Sequence, residues 1–277
     1  MTSKMLTLFG MTAVFLLAGC GPSGPDAPPS PEPAAATEAA PPAPEPAAEM
    51  AASPADLASL LAGDSRSAAD KERDAGRKPA EVLAFLGVEP GMDVIDLMAA
   101  SGWYSEVLSL AVGPEGSVTA QNPPWMLAFR DGAYGTELTA RIEGRLDNVS
   151  RLDSDWAALA AMEGQFDAAL SALNIHDAYY LESPEGASMF ASAVYSALRP
   201  GGIFGVIDHV GNPDGDNKSL HRIEKTLAIE IVTGAGFVLE EESDMLANPA
   251  DDHTQGVFSE GIRGQTDRFL LRFRKPE

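Results

Sequence analysis

Two of the four histidines in the chain follow predicted strands, and each stands beside an aspartate. His176 precedes Asp177, and His209 follows Asp208. Imidazole titrates near neutral pH, so a histidine in such a place can remove a proton from a hydroxyl, amine or thiol that attacks an electrophile. Neighbouring side chains usually point apart, so neither pair is by itself a hydrogen-bonded dyad. We predict His176, His209 and Asp208 as catalytic residues.

The same histidines leave a metal-dependent chemistry open. If the segment around residue 253 folds over the sheet, imidazole and carboxylate groups could converge on an ion. The residues of this alternative site are His176, His209, His253 and Asp252. Their spacing matches no compact metal-binding motif, so the main prediction contains no metal. The fourth histidine, His221, lies on a predicted helix, where we expect it to cap the helix or face solvent.

The stretch DLMAASGWY, residues 96 to 104, lies between a predicted strand and a predicted helix, where nucleotide-type cofactors bind. It has an acidic residue at Asp96 and a glycine at Gly102. Residues 99–101 are Ala-Ala-Ser at positions that such loops usually give to glycine, whose missing side chain lets a ligand approach the backbone. We therefore expect a crowded turn that binds its cofactor more weakly.

The remaining pattern supplies the elements that must position these residues. Short apolar runs bounded by turn signals predict strands at 92–99, 117–122, 148–153, 166–173 and 203–210. Amphipathic spacing predicts helices at 79–88, 104–112, 188–199 and 219–236. Their alternation indicates an α/β fold with a mainly parallel sheet and helices on both faces. Two further strand-like stretches, 237–246 and 267–276, predict a C-terminal antiparallel hairpin.

Element order and local motifs together resemble the class I S-adenosylmethionine (SAM)-dependent methyltransferases and, more narrowly, a family of bacterial predicted methyltransferases. The likeness covers about residues 64 to 276 and includes LRPGG at 198–202, NPADDHT at 248–254 and RGQTDRF at 263–269. It implies a Rossmann-like fold, SAM as the cofactor and a small-molecule substrate. The arginines of RGQTDRF either bind an anionic group or pair with acids to lock the final hairpin, and we favour the pairing.

The resemblance also assigns cofactor-binding positions. Gln121 and Asn122 stand where the superfamily usually places an acid that accepts hydrogen bonds from the ribose hydroxyls, and an amide oxygen can still accept one. Asp153 matches a position that often receives the adenine amino group, with a solvent-facing acid as the alternative. The predicted cofactor residues are Asp96, Gly102, Tyr104, Gln121, Asn122 and Asp153.

The first 54 residues predict an anchor and a spacer. Lys4 and an apolar run end at Leu-Ala-Gly-Cys, which resembles a bacterial lipoprotein signal with lipidation at Cys20. Gly21 in place of aspartate favours the outer membrane, facing the periplasm. We predict a signal peptide at 1–19, a disordered Pro- and Ala-rich tether at 20–54 and a methyltransferase-like domain at 55–277.

Charge and location constrain the function. The formal net charge of -22 disfavours nucleic acid as a partner, because nucleic-acid binding needs clustered basic residues. SAM is made in the cytoplasm, whereas the signal predicts an envelope protein. Two alternatives to methyl transfer therefore stay open: an exported protein of this fold that binds a different envelope metabolite without methylating it, and a metal-dependent enzyme.

Overall fold

The structure is a computed structural model that describes residues 54–277. The predicted signal peptide, Cys20 and nearly all of the tether lie outside the described residues. Within the described part, no helix is both long enough and apolar enough to cross a membrane.

A seven-stranded sheet forms the centre of this domain, with the strand order β3-β2-β1-β4-β5-β7-β6. The strands are β1 (Asp93–Leu97), β2 (Ser117–Asn122), β3 (Val149–Asp153), β4 (Phe166–Ala172), β5 (Leu198–His209), β6 (Val238–Ser243) and β7 (Arg268–Arg274). Strand β7 is antiparallel to both of its neighbours, and the pairs among β1 to β5 are parallel. The predicted α/β fold and its C-terminal antiparallel pair are confirmed.

Helices cover both faces of the sheet, so alternate residues along a strand face two separate hydrophobic cores. On β1, Val94 packs with α3 and α4, whereas Ile95 packs with α9 and α11. The helices are α1 (Pro54–Leu61), α2 (Ala68–Arg77), α3 (Pro79–Leu86), α4 (Trp103–Val112), α5 (Pro124–Ala128), α6 (Ala133–Ile142), α7 (Trp156–Ala160), α8 (Ile175–Asp177), α9 (Pro184–Ala197), α10 (Asn217–Leu220) and α11 (Lys225–Gly234). A 3-10 helix (Phe129–Gly132) and a π-helical turn (Ala178–Glu182) complete the set.

The single helix predicted over 219–236 is wrong in its first part. The chain leaves the helical conformation at His221, which has φ +54°, and returns to it only at Lys225. Between them, the Ile223 amide donates to the His209 carbonyl at 3.0 Å, and the Arg222 side chain is fully buried. Contacts with the sheet therefore override a helical pattern that the sequence displays.

Candidate functional site

The loop after β1 has a glycine-like backbone at every second residue. Met98, Ala100 and Gly102 have φ angles of 50°, 51° and 77°, in the left-handed region that side chains disfavour. Within the stretch 99–101, where the sequence predicts crowding, Ala100 has this conformation, and Met98 is a second position that glycine would suit. The turn keeps its shape although two of these positions carry a side chain.

Two buried amides hold this loop in place. The Met98 amide donates to Gln121 Oε1 at 3.1 Å, and the Ala100 amide donates to Asn122 Oδ1 at 2.8 Å. Asn122 Nδ2 returns a bond to the Ala100 carbonyl at 3.2 Å, and Gln121 Nε2 donates to the Ser154 carbonyl at 2.8 Å. Both amide side chains are fully buried. Contact of Gln121 and Asn122 with a ribose stays a prediction. Such a contact would require that these side chains break some of the hydrogen bonds that now hold the loop.

Gly102 begins α4 under two constraints. Its φ is +77°, and a Cβ atom at this position would lie 2.5 Å from Leu138 Cδ1. Any larger residue would force the buried Leu138 side chain, which projects from α6, to move. Gly102 is therefore required by the packing of the loop itself, whatever the loop binds.

Asp96 and Tyr104 are buried ionisable groups at the edge of this loop. Asp96 accepts a hydrogen bond of 2.6 Å from the Ser105 hydroxyl, and burial raises the pKa of Asp96 to about 7. Burial also raises the pKa of Tyr104 to about 12, so its phenol is neutral. Both groups lie near the Arg77 guanidinium, whose positive charge partly opposes these increases in pKa.

Two arginines beside this loop, Arg77 and Arg268, form no direct ion pair with an acid among residues 54–277. The Arg77 guanidinium lies 4.5 Å from the Trp103 ring centre and 5.8 Å from that of Tyr104. Arg268 is buried and donates only to carbonyl oxygens, at 2.6 Å to Gly76 and 3.3 Å to Thr266. Burial lowers the pKa of both arginines. The pairing with acids that we had favoured for the RGQTDRF arginines does not hold for Arg268, and sequence analysis missed Arg77 altogether.

A hydrogen-bonded dyad joins the loop after β4 to the end of β5. His176 Nδ1 lies 2.8 Å and 3.0 Å from the two carboxylate oxygens of Asp208, which also accept the backbone amides of His176 and His209. The structure therefore pairs His176 with Asp208, which is fully buried. Sequence neighbours Asp208 and His209 share only a backbone contact.

The two catalytic candidates differ in charge. Burial disfavours the charged form of His176, but the Asp208 charge and the hydrogen bonds that His176 donates to Asp177 and Asp208 raise the pKa of His176 to about 10. Burial and the charges of His176 and Arg268 hold the pKa of His209 well below its usual range. His209 Nδ1 lies 2.7 Å from Thr266 Oγ1. At neutral pH, His209 is therefore an uncharged imidazole, and the lowering of its pKa makes it a weak base.

The alternative metal set is not brought together. His253 lies 2.9 Å from Asp267 Oδ2 through Nε2 and 3.1 Å from Asn212 Oδ1 through Nδ1, while Asp252 bonds to Thr254 at 2.7 Å. Within residues 54–277, the one group of three or more potential ligands is formed by His176, Asp177 and His221. His221 therefore belongs to a cluster of ionisable groups, which its expected place on a helix did not indicate.

Asp153 ends β3 with its carboxylate turned to a neighbour on the same strand. Its Oδ2 lies 2.7 Å from Arg151 Nη2, and its side chain is 39% exposed. This geometry is that of a solvent-facing acid, the alternative that the sequence left open. A contact with an adenine amino group stays a prediction.

Strand order, the reversed last strand and the cofactor-type loop after β1 together define the Rossmann-like fold of SAM-dependent methyltransferases. A solved SAM-dependent methyltransferase from Aquifex aeolicus superposes with a TM-score of 0.53 at 19% identity, over 80% of this chain and 97% of that one. The cyclase SpnF superposes with a TM-score of 0.54 at 18% identity, over 78% and 86%. At these identities the likeness establishes the fold.

Curated relatives are two fungal sterol 24-C-methyltransferases. The protein from Gibberella zeae is 28% identical over 185 residues, which is 61% of this chain and 45% of that protein. The protein from Yarrowia lipolytica is 24% identical over 202 residues, or 65% and 48%. The match thus spans about half the length of these relatives. No family model matches the chain, so its likeness to the bacterial predicted methyltransferases stays a prediction.

Proposed function

We propose that this protein is a SAM-dependent methyltransferase that acts on a small molecule. The observation that carries the proposal is the backbone of the loop after β1. A left-handed conformation costs a residue other than glycine about 1–2 kcal/mol, yet Met98 and Ala100 both adopt it. Retention of this shape without its usual glycines indicates that the shape itself serves a ligand. The fold and the curated relatives support a methyl donor as that ligand.

The residues around the loop fit the charges of SAM. Its methionine part carries a carboxylate, and Arg77 offers a guanidinium that forms no direct ion pair in the described chain. Its positive charges would lie near Asp96, whose burial leaves its own ionised form poorly stabilised. When bound, SAM supplies an electrophilic methyl group. The chain would hold the methionine part along residues 98–102 and orient it for attack by an acceptor.

The acceptor side of the pocket is proposed at the ends of β4 and β5. His176, Asp208 and His209 lie there, at the same edge of the sheet as the cofactor-type loop. His176 already holds a proton at neutral pH, so His209, the uncharged imidazole of this group, is the candidate to receive the proton of an acceptor as the new bond to the methyl group forms. The named sterol substrates of the curated relatives make a hydrophobic small molecule the first acceptor class to assay.

Calorimetric titration tests the proposal directly. The full chain in detergent is titrated with SAM and with S-adenosylhomocysteine, and micromolar binding is expected. Arg77→Ala should weaken binding by roughly 10-fold to 100-fold, since a charge-assisted hydrogen bond contributes about 1.5–3 kcal/mol. Arg130→Ala is the matched control, because Arg130 is exposed and pairs only with exposed Glu137. No binding up to millimolar by folded protein, or equal losses in both variants, would refute the assignment.

A second candidate is a protein of this fold that does not methylate. This candidate is supported by the structural neighbour SpnF, which has the same fold and is named a cyclase. An envelope metabolite would then occupy the pocket. A folded chain that binds neither SAM nor S-adenosylhomocysteine but does bind an envelope metabolite would favour this candidate over the first.

The proposed location is the bacterial cell envelope, with a lipid on Cys20 and the domain facing the periplasm. The support is the sequence alone: the apolar run, the cysteine that follows it and the proline-rich spacer. Cys20→Ser should move the protein from the membrane fraction to the soluble fraction. Unchanged membrane fractionation would contradict lipidation at this residue.

A further inference from the structure

We propose that His176, Asp177 and His221 form a binding site for a divalent transition metal, with Zn²⁺ as the ion that this donor set favours. His176 Nε2 lies 3.3 Å from Asp177 Oδ1, and His221 Nδ1 lies 3.6 Å from the same oxygen. All three donor atoms lie within 4.8 Å of one another. Metal–ligand bonds of about 2.0–2.1 Å separate the ligands of a tetrahedral ion by roughly 3.3–3.4 Å. Two of the three separations therefore fit closely.

The second nitrogen of His176 supplies an independent observation. A histidine that binds a metal through one ring nitrogen usually donates from the other to a carboxylate, which fixes its tautomer and orientation. His176 Nδ1 lies 2.8 Å from Asp208 Oδ1, and Asp208 is fully buried at the end of β5. With Nδ1 engaged in this way, Nε2 is the nitrogen that faces Asp177, and it would bind an ion by releasing its proton.

His221 is fixed toward the same point by the break between α10 and α11. Its ring centre lies 5.5 Å from that of His176 and 5.1 Å from that of Phe258. The next residue, Arg222, is fully buried and bound to Asp251 at 2.9 Å and 3.0 Å, which anchors the backbone that presents His221. The His221 ring is therefore positioned by contacts with the rings of His176 and Phe258.

Exposure increases across the cluster, from 5% for the His176 side chain to 19% for Asp177 and 37% for His221. Three protein ligands with one open side match catalytic zinc sites, in which water or substrate completes the coordination. A thiolate, carboxylate or hydroxyl of a small molecule is the class of ligand that such an open position accepts. The site shares His176 with the acceptor side of the proposed function, but none of its ligands belongs to the SAM loop, so zinc binding can be tested without SAM.

Zinc titration of the untagged full chain in detergent tests the site, after metal is removed with a chelator and in the absence of SAM. One Zn²⁺ per chain should bind with a micromolar or lower Kd, and Co²⁺ should give the visible absorption of tetrahedral coordination. His221→Asn is the key variant, since asparagine tolerates the left-handed φ of +54° at this position. It should weaken binding by about 100-fold or more, and Asp208→Asn by about 10-fold to 100-fold.

His253→Asn is the matched control, because His253 contacts Asn212 and Asp267 and lies outside the cluster. It should bind zinc as the wild type does. Wild-type protein that binds Zn²⁺ no better than His221→Asn would overturn the proposal. An equal loss in His253→Asn would also overturn it, because the metal would then lie elsewhere.

Discussion

Asp96→Asn should remove a large part of the pH dependence of the domain's stability. The pKa of Asp96 is raised by burial from 3.8 to about 7, so the folded state binds this proton more tightly than the unfolded state does. The stability that the carboxyl contributes is therefore complete below pH 3.8. It is lost progressively as the pH rises from 3.8 to about 7, because the unfolded carboxyl has then ionised while the buried one, which is hydrogen-bonded to Ser105, still holds its proton.

The size of the effect follows from the same values. A difference of about three powers of ten in proton affinity corresponds to roughly 4 kcal/mol, which is an upper limit because ionisation allows the surroundings to relax. Asparagine keeps an acceptor for Ser105 but adds an amide donor, which costs about 1–3 kcal/mol if it stays unpaired. Asp96→Asn should thus be less stable than wild type at pH 5 and equal to or more stable than wild type at pH 8.

Urea unfolding at pH 5, 6, 7 and 8, followed by tryptophan fluorescence, measures this crossover. The informative quantity is the difference in unfolding free energy between variant and wild type, because all other titrating groups are common to both chains. Asp153→Asn is the control, since this aspartate is partly exposed beside Arg151, and its difference from wild type should stay nearly constant. A constant difference for Asp96→Asn across the same range would refute the assignment of a buried, protonated Asp96.

Two further predictions concern the backbone and the buried ion pair. Ala100→Gly should raise the urea midpoint, with a gain in unfolding free energy of roughly 0.5–1 kcal/mol. Glycine relieves the strain of the left-handed φ of 51°, and the greater entropy of its unfolded chain offsets part of that relief. The control Ala99→Gly should give no gain. Arg222→Met leaves Asp251 buried without its partner and should lower the unfolding free energy by about 3–5 kcal/mol. Lys225→Met is the control, because it removes an exposed ion pair and should change the unfolding free energy by less than about 1 kcal/mol.

Local sequence signals were sufficient for the sheet and for the position of the loop. The strand predicted at 117–122 matches β2 residue for residue, and the loop at 96–104 begins within β1 and enters α4 as expected. These elements are short apolar runs with turn residues on either side, so the information that defines them is contiguous. The antiparallel last pair was predictable for a similar reason, because no crossover helix separates its two apolar stretches.

The pairings within the site were not predictable, because they join distant positions. His176 and Asp208 are separated by 32 residues and meet only because β4 and β5 are neighbours in the sheet. The sequence shows only the adjacent aspartates, and because neighbouring side chains usually point apart, adjacency does not identify them as partners. Arg77 gave no signal, since an arginine at the end of a helix is usually solvated, and His221 was hidden by a helical pattern that tertiary contacts break.

Three unfavourable features collect at the carboxyl ends of the central strands, and their common location argues for a ligand. Met98 and Ala100 adopt a backbone that costs each about 1–2 kcal/mol, Asp96 is a buried carboxyl, and Arg77 has no direct ion pair in the described chain although the protein has 41 acidic residues. A zwitterionic ligand with a carboxylate and a positive charge would offset the electrostatic costs together, which is why we place the cofactor there.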